Sequence, residues 1–545
     1  MKNATVTKVY RTLDFDLAAL HSLLNSTRDN KMSLFVPTAE NCDAVRTQLN
    51  QLKERIDVLE VPGKPFEFIK NHFGDFYHAL NLQFESIATS PQGYLYSVGW
   101  KIVPLILDAE DFTAGYDILL SRLGYIKEIV DILQQNCTQA KQKRELSDAI
   151  GYLKNNLDVN KCEYRSFYSF LGSEKEEKLI AVVEELEDFL ACKQDQLSDG
   201  NSEEYTMLAD DAVLPLDIEK YRSALKINIG VELDELIEWY ESEVEKTRSE
   251  CFAIAQKLDI AENNPQTMAD INDILLKYAG PADSPEEMFQ RANGYIQRTR
   301  AAAHSCVWMP EDEQCVITPV PVQLKVAYPW GGYEGGYRFK SPILGRMFLN
   351  NYNYKAITDG WMKINTLHEA YPGHHVQHVR SITDSIPETM KIGAKNVPLH
   401  EGTCLRTERV FEFVFAEDPF YPLFVAYRRH HTSVRIKVDL WLRYFGRTIG
   451  DAVDLYQQEL GFDRQTARFQ VQAHENDMGY FTSYYYGMKK LCQWEKEYGF
   501  DTMEYTPVLF EVGGVSLENF KLYLEMTSEE KHSLTHDFGS LYQFE

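Results

Sequence analysis

A cluster of histidines near residue 370 has the residue types of a catalytic metal site. Four of the 14 histidines lie here. Three are in the segment His368-Glu369-Ala370-Tyr371-Pro372-Gly373-His374-His375, and the fourth is His378. Catalytic zinc is bound by imidazole nitrogen and carboxylate oxygen, with one position left for water. A glutamate beside a ligand can take a proton from that water. The segment therefore predicts a hydrolytic zinc site with Glu369 as the general base.

The spacing of the first two ligands departs from the common His-Glu-x-x-His pattern, in which the histidines lie four residues apart. Here the position four residues after His368 is Pro372, whose ring clashes with the carbonyl of His368 in a regular helix. On an unbroken helix, His374 would lie about 9 Å further along the axis, too far to share an ion. We expect a bulge over residues 371–373 to bring His374 back, with Gly373 in backbone angles closed to other residues.

Two other choices of the second histidine stay open. His375 could bind the metal in place of His374. His374 and His378 have the four-residue spacing of neighbours on one helical face, but that pair leaves Glu369 without its role. We predict His368 and His374 as the ligand pair.

The segment from residue 400 to 408 offers the carboxylate that a third ligand requires. Glu401 follows His368 by 33 residues, and Glu408 lies seven residues further on, on the same face of a helix. We predict Glu401 as the third ligand. Glu408 is expected to hydrogen-bond a histidine ligand through the ring nitrogen that does not bind the metal.

Helical patterns surround these residues. Up to about residue 196 apolar residues recur at spacings of three and four, as in 174–195, where the opposite face is acidic and lysine-bearing. Residues 231–258 have the same pattern, and helical patterns resume after Thr358. Between 307 and 345, five prolines interrupt short β-prone runs, which favours edge strands or loops. The predicted fold is mainly α, with a small β-rich or loop segment around 307–345.

Within that segment the glycines are concentrated in one place. The stretch Pro-Trp-Gly-Gly-Tyr-Glu-Gly-Gly-Tyr at 329–337 contains four of them. Glycine permits backbone conformations that other residues avoid. We expect a mobile or tightly turned loop here.

The length of the chain favours more than one packed region. A chain of 545 residues is long for a single hydrophobic core. The polar stretch at 197–205 is the best candidate for a boundary. We predict an N-terminal helical domain at 1–196, a helical connecting region at 206–306 and a catalytic metal-binding region at 307–545.

The charge balance disfavours two classes of partner. The chain has 82 acidic and 56 basic residues and a formal net charge of −26, so nucleic acid and membrane surfaces are poor candidates. The sequence contains no run of 18 apolar residues, so it predicts no transmembrane helix. Asp14 and Asp16 interrupt the region where a secretory signal needs an apolar stretch. These features predict a cytoplasmic location, and the sequence leaves the oligomeric state open.

The nine cysteines are scattered and form no Cys-x-x-Cys pair. This pattern predicts reduced and mostly buried thiols, with neither a disulfide framework nor a thiolate zinc site.

The histidine segment, the Glu-Gly…Glu segment at 401–408 and the tyrosine-rich segment that follows resemble the bacterial family named domain of unknown function 885. The resemblance runs from about residue 229 to the C-terminus. That family is similar to helical gluzincin peptidases of the thimet oligopeptidase and carboxypeptidase Taq kind. The resemblance implies a multi-helix, zincin-like (gluzincin) fold, with His368, His374 and Glu401 as metal ligands and Glu369 as general base. The match of Gly373-His374 to the Gly-His of those peptidases favours His374 over His375.

One segment departs from the family pattern. The family usually reads Glu-Gly-Trp-Ala-Leu-Tyr, whereas this chain reads Glu401-Gly402-Thr403-Cys404-Leu405-Arg406. The proposed ligand is retained, but the residues beside it differ. The resemblance therefore does not predict the substrate of this chain.

The segment 479–487 resembles the Gly-Tyr-x-x-x-Tyr-Tyr stretch of the same oligopeptidases. The resemblance implies a tyrosine hydroxyl that stabilises the oxyanion of a tetrahedral intermediate. Tyr484 is the first choice, and Tyr480 and Tyr485 are the alternatives.

Three further histidines lie outside the predicted ligand set. His474 could bind substrate, since it lies six residues before Tyr480. His430 and His431, in the segment Tyr-Arg-Arg-His-His, are expected in a basic surface or in a patch that binds a substrate carboxylate rather than at the metal.

Together these residues predict a zinc-dependent hydrolase that cleaves peptide bonds, acting on a peptide or another small amide. Two alternatives are a metallohydrolase of non-peptide amides or esters, and a non-catalytic binding or scaffolding protein with a metal-stabilised helix pair. Glu369 argues against the last, because a purely structural site has no use for an unligated carboxylate beside its ligand.

Overall fold

The computed structural model describes residues 2–27, 30–102, 112–197, 208–322, 325, 328–336 and 342–540. The chain divides into two compact units. The first contains Met1–Tyr205 with Pro321–Val326 and Pro387–Thr389, and the second contains Thr206–Val320, Ala327–Ile386 and Met390–Glu545. The polar stretch predicted as a boundary lies outside the described residues apart from Leu197. The predicted separation of 206–306 from 307–545 stays a prediction.

The first unit consists of long helices. They are α1 (Lys2–Asn25), α2 (Ala39–Asp57), α3 (Lys64–Thr89), α4 (Pro91–Lys101), α5 (Phe112–Asn136), α6 (Ala140–Tyr168) and α7 (Ser173–Leu197). Helix α7 confirms the pattern predicted over 174–195, because Leu179, Val183, Leu186 and Leu190 are buried. Spacings of three and four residues place these side chains on one helical face.

The second unit begins with helices and a small sheet. The helices are α8 (Ile218–Ser223), α9 (Leu233–Ala255), α10 (Met268–Tyr278) and α11 (Pro285–His304). The strands are β1 (Gln314–Pro319), β2 (Gly331–Gly335) and β3 (Leu344–Leu349), in the order β1-β3-β2. Strand β3 pairs in parallel with β1 and antiparallel with β2, so β3 is central.

The glycine-rich loop predicted at 329–337 is wrong for residues 331–335, which form β2. A Cβ atom at Gly331 would lie 2.4 Å from the carbonyl oxygen of Phe348 on the neighbouring strand. The glycine is therefore needed for a close approach of two backbones. Tyr337, the last residue of the predicted loop, lies outside the described residues.

Helices make up the rest of the second unit, apart from short turns. They are α12 (Asp359–Asn365), α13 (His374–Thr383), α15 (Val397–Val410), α16 (Tyr421–Arg443), α17 (Ile449–Leu460), α18 (Arg464–Asn476), α19 (Ser483–Glu497), α20 (Thr502–Val508), α21 (Leu517–Leu524) and α22 (Ser528–Phe538). Helix α14 (Glu388–Ile392) has its first two residues in the first unit and the others in the second. The fold is mainly α with one small sheet, as the sequence predicts. Within the described ranges, no helix combines the length and apolar character needed to cross a membrane.

Two helices that carry candidate site residues cross closely because each has a glycine at the crossing. A Cβ atom at Gly402 of α15 would lie 2.5 Å from the backbone of Gly487 of α19, and a Cβ atom at Gly487 would lie 1.8 Å from the carbonyl oxygen of Pro398. The pair therefore brings the backbone beside Glu401 against the helix that carries Tyr484.

Helix α16 is buried along nearly its whole length and packs in the core of the second unit. Its apolar residues join those of α9, α10, α17 and α18 in one hydrophobic cluster. Its polar residues are also buried, among them Arg428, His431 and Arg435. Buried polar groups normally have hydrogen-bond partners. The groups that surround these three side chains are therefore relevant to the candidate site.

Candidate metal centre

The histidine segment breaks between two helical pieces. His368 and Glu369 lie in a single π-helical turn at Thr366–Ala370 that continues α12, and α13 begins at His374. The break makes the ring centroids of His368 and His374 only 5.0 Å apart, compared with about 9 Å of rise on an unbroken helix. The predicted bulge at 371–373 is present, and it brings the two imidazoles together.

A close approach of two backbone segments explains why residue 373 is glycine. Its φ of −117° is negative, as in most residues, so a left-handed conformation is not what requires glycine. A Cβ atom at this position would lie 1.8 Å from the carbonyl oxygen of His368. Glycine is needed because the chain passes directly over the turn that carries the first histidine.

Glu401, in the first half of α15, faces both imidazoles. Its Oε2 lies 3.1 Å from Nε2 of His368 and 3.5 Å from Nε2 of His374. The other ring nitrogens have separate partners: Nδ1 of His368 lies 2.8 Å from Oε1 of Glu408, and Nδ1 of His374 lies 2.9 Å from Oε1 of Gln377. The predicted contact of Glu408 with a histidine is therefore present.

This arrangement fits a zinc ion in its donor chemistry. Two imidazole nitrogens and one carboxylate oxygen converge, which is the ligand set of many catalytic zinc sites. An acceptor on each Nδ1 fixes the tautomer that leaves the lone pair of Nε2 available for a metal. Gln377 was not predicted, although its place three residues after His374 on a helix was a usable signal.

The electrostatics of the cluster favour positive charge. Burial would lower the pKa of His368, but hydrogen bonds to Glu401 and Glu408 raise that pKa to about 10. Burial would raise the pKa of Glu401, yet the two neighbouring imidazoles hold that pKa well below its ordinary value. A buried carboxylate of this kind needs a cation beside it.

Cys404 is a second possible donor that the sequence did not suggest. Ligand atoms of His368, His374 and Cys404 lie within 4.8 Å of one another. Its Sγ lies 3.6 Å from Nδ1 of His374, the nitrogen that also contacts Gln377. Glu401 instead contacts the Nε2 atoms of both histidines, so the carboxylate is the better third donor.

His375 faces a different network. Its Nε2 lies 2.6 Å from Oε2 of Glu313, and its Nδ1 lies 3.0 Å from the hydroxyl of Tyr333. The hydroxyl of Tyr371 donates a hydrogen bond to the same Glu313 oxygen at 2.7 Å. Burial would raise the pKa of Glu313, but these hydrogen bonds hold it at about 2. Both ring nitrogens of His375 are thus engaged away from Glu401.

His378, the other histidine left open by the sequence, lines a cavity beside His374. The cavity has a volume of about 330 Å³. Its lining includes Tyr333, His374, Gln377, His378, Asn396 and His400. The cavity leaves space next to the imidazole of His374 for a bound molecule.

Glu369 is partly exposed, unlike the residues on either side of it. Among the described residues, none forms a hydrogen bond with its carboxylate. Burial and the charge of Glu369 both raise the pKa of Tyr328, so the carboxylate lies near that ring. A carboxylate without hydrogen-bond donors from the protein is available to a water molecule or a substrate.

Two tyrosine hydroxyls lie at the cluster. The hydroxyl of Tyr480 donates to Oε1 of Glu401 at 3.2 Å and lies 3.3 Å from the hydroxyl of Tyr484. The ring of Tyr484 stacks on that of His368, with centroids 6.3 Å apart. The charge of Glu401 and burial raise the pKa of Tyr480, and burial and Glu401 raise that of Tyr484. Both hydroxyls keep their protons and can donate hydrogen bonds.

Residues 22–518 match a family described as bacterial protein of unknown function (DUF885). The chain belongs to this family. The match begins well before residue 229, where the sequence resemblance was expected to start. A comparison with curated proteins gives no match.

Two candidate lipoproteins of known structure share the fold of this DUF885 protein. A candidate lipoprotein from Colwellia psychrerythraea is 17% identical with a TM-score of 0.70, covering 96% of this chain and 99% of that one. A candidate lipoprotein of unknown function from Shewanella oneidensis is 14% identical with a TM-score of 0.66, over 96% and 99% of the two chains. A candidate oligoendopeptidase F from Bacillus anthracis is 14% identical over 97% and 94%, but its TM-score is 0.28. The last likeness is too low to support an argument.

The departure from the family pattern after Glu401 has a structural explanation at one position. Arg406 is buried, and its guanidinium lies 3.0 Å from Glu495 and donates a hydrogen bond to Thr506 at 3.0 Å. The arginine therefore links α15 to α19 and α20. Cys404, in the same segment, is the residue that approaches His374.

Two predicted candidates, Tyr485 and His474, lie elsewhere. The hydroxyl of Tyr485 donates to Glu243 of α9 at 2.6 Å. His474 is buried, with Nδ1 at 3.1 Å from Asp439 and Nε2 at 2.9 Å from the hydroxyl of Tyr456. Both nitrogens of His474 serve the core, so its predicted contact with substrate is wrong.

His430 and His431 are buried rather than part of a basic surface. Nδ1 of His430 lies 2.9 Å from the Thr247 hydroxyl, and its Nε2 lies 3.0 Å from the carbonyl oxygen of Glu459. Burial and the charges of Arg435 and Arg428 hold the pKa of His431 well below its ordinary value. The other prediction for this segment is a patch that binds a substrate carboxylate. Only Arg428 and Arg435, and not the two histidines, could provide the positive charge for such a patch.

Proposed function

We propose that this DUF885 protein is a zinc-dependent hydrolase that cleaves peptide bonds. The observation that carries the proposal is the convergence of Nε2 of His368, Nε2 of His374 and Oε2 of Glu401. Beside them lies Glu369, which no described residue hydrogen-bonds. A binding protein stabilised by a metal would need the first three residues but not the fourth.

His368, His374 and Glu401 would hold the ion. Bound zinc supplies Lewis acidity for a water molecule and for the substrate carbonyl. Glu408 and Gln377 hold the two imidazoles in the tautomer that exposes Nε2. His375 acts instead on the bulge, through Glu313 and Tyr371.

The remaining steps belong to side chains of this chain. Glu369 accepts the proton that the attacking water loses and returns it to the leaving amine. A tyrosine hydroxyl donates a hydrogen bond to the oxygen that becomes negative when the carbonyl is attacked. Tyr484 and Tyr480 both keep their protons and lie at the cluster, and Tyr484 is our first choice.

The arrangement of ligands supports placing the protein with the gluzincin peptidases, and we propose a short peptide as the substrate. Hydrolysis of another small amide or of an ester uses the same residues and is the second candidate. A library of mixed peptides and small amides separates the two, because cleavage confined to the small amides would exclude a peptidase.

The experiment that tests the function uses metal content and one variant. Purified protein should contain close to one zinc per chain, and a chelator should abolish hydrolysis of the peptide library until zinc is restored. Glu369→Gln keeps size and loses basicity, so it should retain zinc and lose at least about 10²-fold in rate. Hydrolysis by Glu369→Gln at the unaltered rate, or an active protein without a transition metal, would refute the proposal.

The cellular location belongs to the same proposal. The sequence predicts a cytoplasmic protein without nucleic acid or membrane partners, while two proteins of similar fold are described as candidate lipoproteins. Fractionation of cells that produce the native protein tests this, and recovery in the membrane fraction would overturn it.

A further inference from the structure

Arg435 of α16 is a buried cation without an ion-pair partner. The residue is 6% exposed, and no carboxylate lies within ion-pair distance of it in the described part of the chain. Two other cations of the helix have partners: Lys437 lies 2.9 Å from Glu241, and Arg443 donates to the carbonyl oxygens of His474 and Glu475. Buried charges in proteins are normally paired, so Arg435 is an exception that needs a reason.

The surroundings of Arg435 compensate its charge only in part. The guanidinium hydrogen-bonds the neutral hydroxyl of Tyr456, and its Cζ lies 5.0 Å from the ring centroid of Phe481 and 5.4 Å from that of Tyr484. Such cation–π contacts are weaker than hydrogen bonds to a carboxylate. They leave the guanidinium N–H groups without an anionic acceptor.

A second guanidinium increases the positive charge at the same ring. Arg428 lies two helical turns before Arg435, and its Cζ is 5.8 Å from the centroid of Tyr484. Its Nε lies 3.7 Å from Glu408, an oxygen already shared with His368. Burial and the charge of Arg428 both lower the pKa of Arg435. The two arginines form a positive cluster inside a chain whose net charge is −26.

This positive cluster lies near the candidate metal centre. Tyr484 contacts Arg435 at 5.4 Å and His368 at 6.3 Å. The Arg435 Cζ therefore lies within about 12 Å of the His368 ring, which is the length of about three extended residues. A group bound by Arg435 and a peptide bond at the metal centre can belong to one short peptide.

We propose that Arg435, supported by Arg428, binds a carboxylate of the peptide substrate within about three residues of the cleaved bond. The proposal rests on the function proposed above and adds its substrate class. A planar guanidinium offers parallel N–H donors that match a carboxylate. A bound substrate would supply the anion that Arg435 lacks in the free protein.

The carboxylate has two possible sources with the same chemistry. It is either the C-terminal α-carboxylate of the peptide or the side chain of an aspartate or glutamate. Three probes separate them: acetyl-tetraalanine as the free acid, its C-terminal amide, and the amide with aspartate in place of the third alanine. The first and third probes each have one carboxylate, whereas the second has none.

The first measurement is binding rather than turnover, by calorimetry on the zinc-loaded Glu369→Gln protein. A carboxylate-bearing probe should bind about 10- to 100-fold tighter than the plain amide, as expected for a charge-assisted pair. The probe that binds more tightly than the plain amide identifies which carboxylate the protein recognises. Adding Arg435→Gln should abolish the difference, and Arg435→Lys should retain part of it, because lysine keeps the charge without the paired donors.

Lys437→Gln is the matched control. It removes a cation two residues away on the same helix, but one that pairs with Glu241. This variant should keep the full difference between acid and amide probes. Arg435→Gln should also unfold at the same or a higher temperature than the parent, because it removes an uncompensated buried charge. A large loss of thermal stability with an unchanged acid-to-amide ratio would make Arg435 a structural cation and overturn the proposal.

Turnover by the otherwise unaltered enzyme separates this proposal from the proposed function. Equal binding of all three probes, with cleavage of the amide, would refute carboxylate recognition and leave the peptidase intact. Binding of the acid that depends on Arg435, without cleavage of any peptide, would support carboxylate recognition by Arg435 and refute the peptidase. If the protein is a peptidase and Arg435 binds the carboxylate, Arg435→Gln should raise KM for the acid peptide more than it lowers kcat.

Discussion

The carboxylate of Glu408 lies 2.8 Å from Nδ1 of His368, while Nε2 of the same ring lies 3.1 Å from Glu401. Both carboxylates come from α15, seven residues apart. One helix therefore supplies the proposed ligand and the group that orients another ligand. The same helix packs closely against α19 at Gly402 and Gly487.

This relationship gives the first prediction. Glu408→Gln keeps the size of the side chain but removes the charge that fixes the tautomer of His368. Zinc affinity should fall by about 10- to 100-fold, as for other acceptors behind metal-bound histidines. Competition with a chromophoric chelator measures this. Gln377→Ala should weaken zinc through His374 in the same way, and unchanged affinity in both variants would show that neither contact serves a metal.

The second prediction concerns the bulge. Gly373→Ala places a Cβ atom 1.8 Å from the carbonyl of His368, so the backbone must move and carry His374 with it. We expect loss of zinc binding and a stability loss of at least about 1–3 kcal/mol, as for overpacked sites. Gly294→Ala in α11 is the control, since its Cβ would meet no atom within 4 Å. That substitution should stabilise the protein slightly. Retention of zinc by Gly373→Ala would contradict this account.

The third prediction separates the two possible third donors. Glu401→Gln should weaken zinc binding by more than about 100-fold, because it removes a ligand rather than an outer partner. Cys404→Ser should leave the affinity unchanged, because Sγ approaches the Nδ1 edge of His374 rather than Nε2. Substitution of cobalt for zinc gives an independent measure, since thiolate ligation produces an intense near-ultraviolet band. Such a band that disappears in Cys404→Ser would show that the cysteine is the ligand.

The sequence predicted those parts of the site that depend on local spacing. The proline four residues after His368 indicated the bulge, and the seven-residue interval between Glu401 and Glu408 indicated a shared face. Both follow from helix geometry within one segment. The same reasoning predicted α7 to within two residues at each end, since its pattern of apolar residues is regular.

The rest of the site depends on segments far apart in the chain. Glu313 meets His375 across 62 residues, and Arg435 meets Tyr484 across 49. Nothing in either local pattern indicates these contacts. Strand β2 was missed for a similar reason: its glycines serve a close approach to β3, a partner that a local pattern does not identify. His474 was misassigned because a histidine that serves the core has no distinguishing local pattern.

The fourth prediction concerns the stability of the first unit at acid pH. His72 of α3 is fully buried, with its ring 6.0 Å from that of Phe76. Burial lowers its pKa from 6.5 to about 4, although the backbone of Thr389 acts in the opposite direction. The unfolded chain therefore binds the proton first as pH falls. The contribution of neutral His72 is complete above about pH 6.5 and is lost as pH falls towards 4.

His72→Phe should remove this dependence. The difference in free energy of unfolding between wild type and variant should change by up to about 3 kcal/mol between pH 7 and pH 4. Urea unfolding at several pH values, monitored with a probe in the first unit, measures it. His78→Gln removes a partly exposed histidine from the same helix and sets the background. A difference between wild type and His72→Phe that is constant with pH would refute the assignment.

The fifth prediction assigns the tyrosine that stabilises the oxyanion. Phenylalanine substitution removes one hydroxyl and leaves each ring in place. Tyr484→Phe should lower kcat by about 10²-fold or more with little change in zinc content, as expected for the loss of one oxyanion donor. Tyr480→Phe removes a hydrogen bond to Glu401 at 3.2 Å, so it should weaken zinc binding as well as the rate.

Tyr485→Phe is the matched control because its hydroxyl points to Glu243 of α9. It should cost about 1–3 kcal/mol of stability, the usual effect of leaving a buried carboxylate short of a donor, and should leave kcat unchanged. Measuring kcat, zinc occupancy and unfolding temperature on all three variants separates the roles. If Tyr480→Phe lowers kcat at full zinc occupancy while Tyr484→Phe does not, the oxyanion donor is Tyr480. In that case the role of the Tyr484 ring is to position His368 and Arg435, since it contacts both side chains.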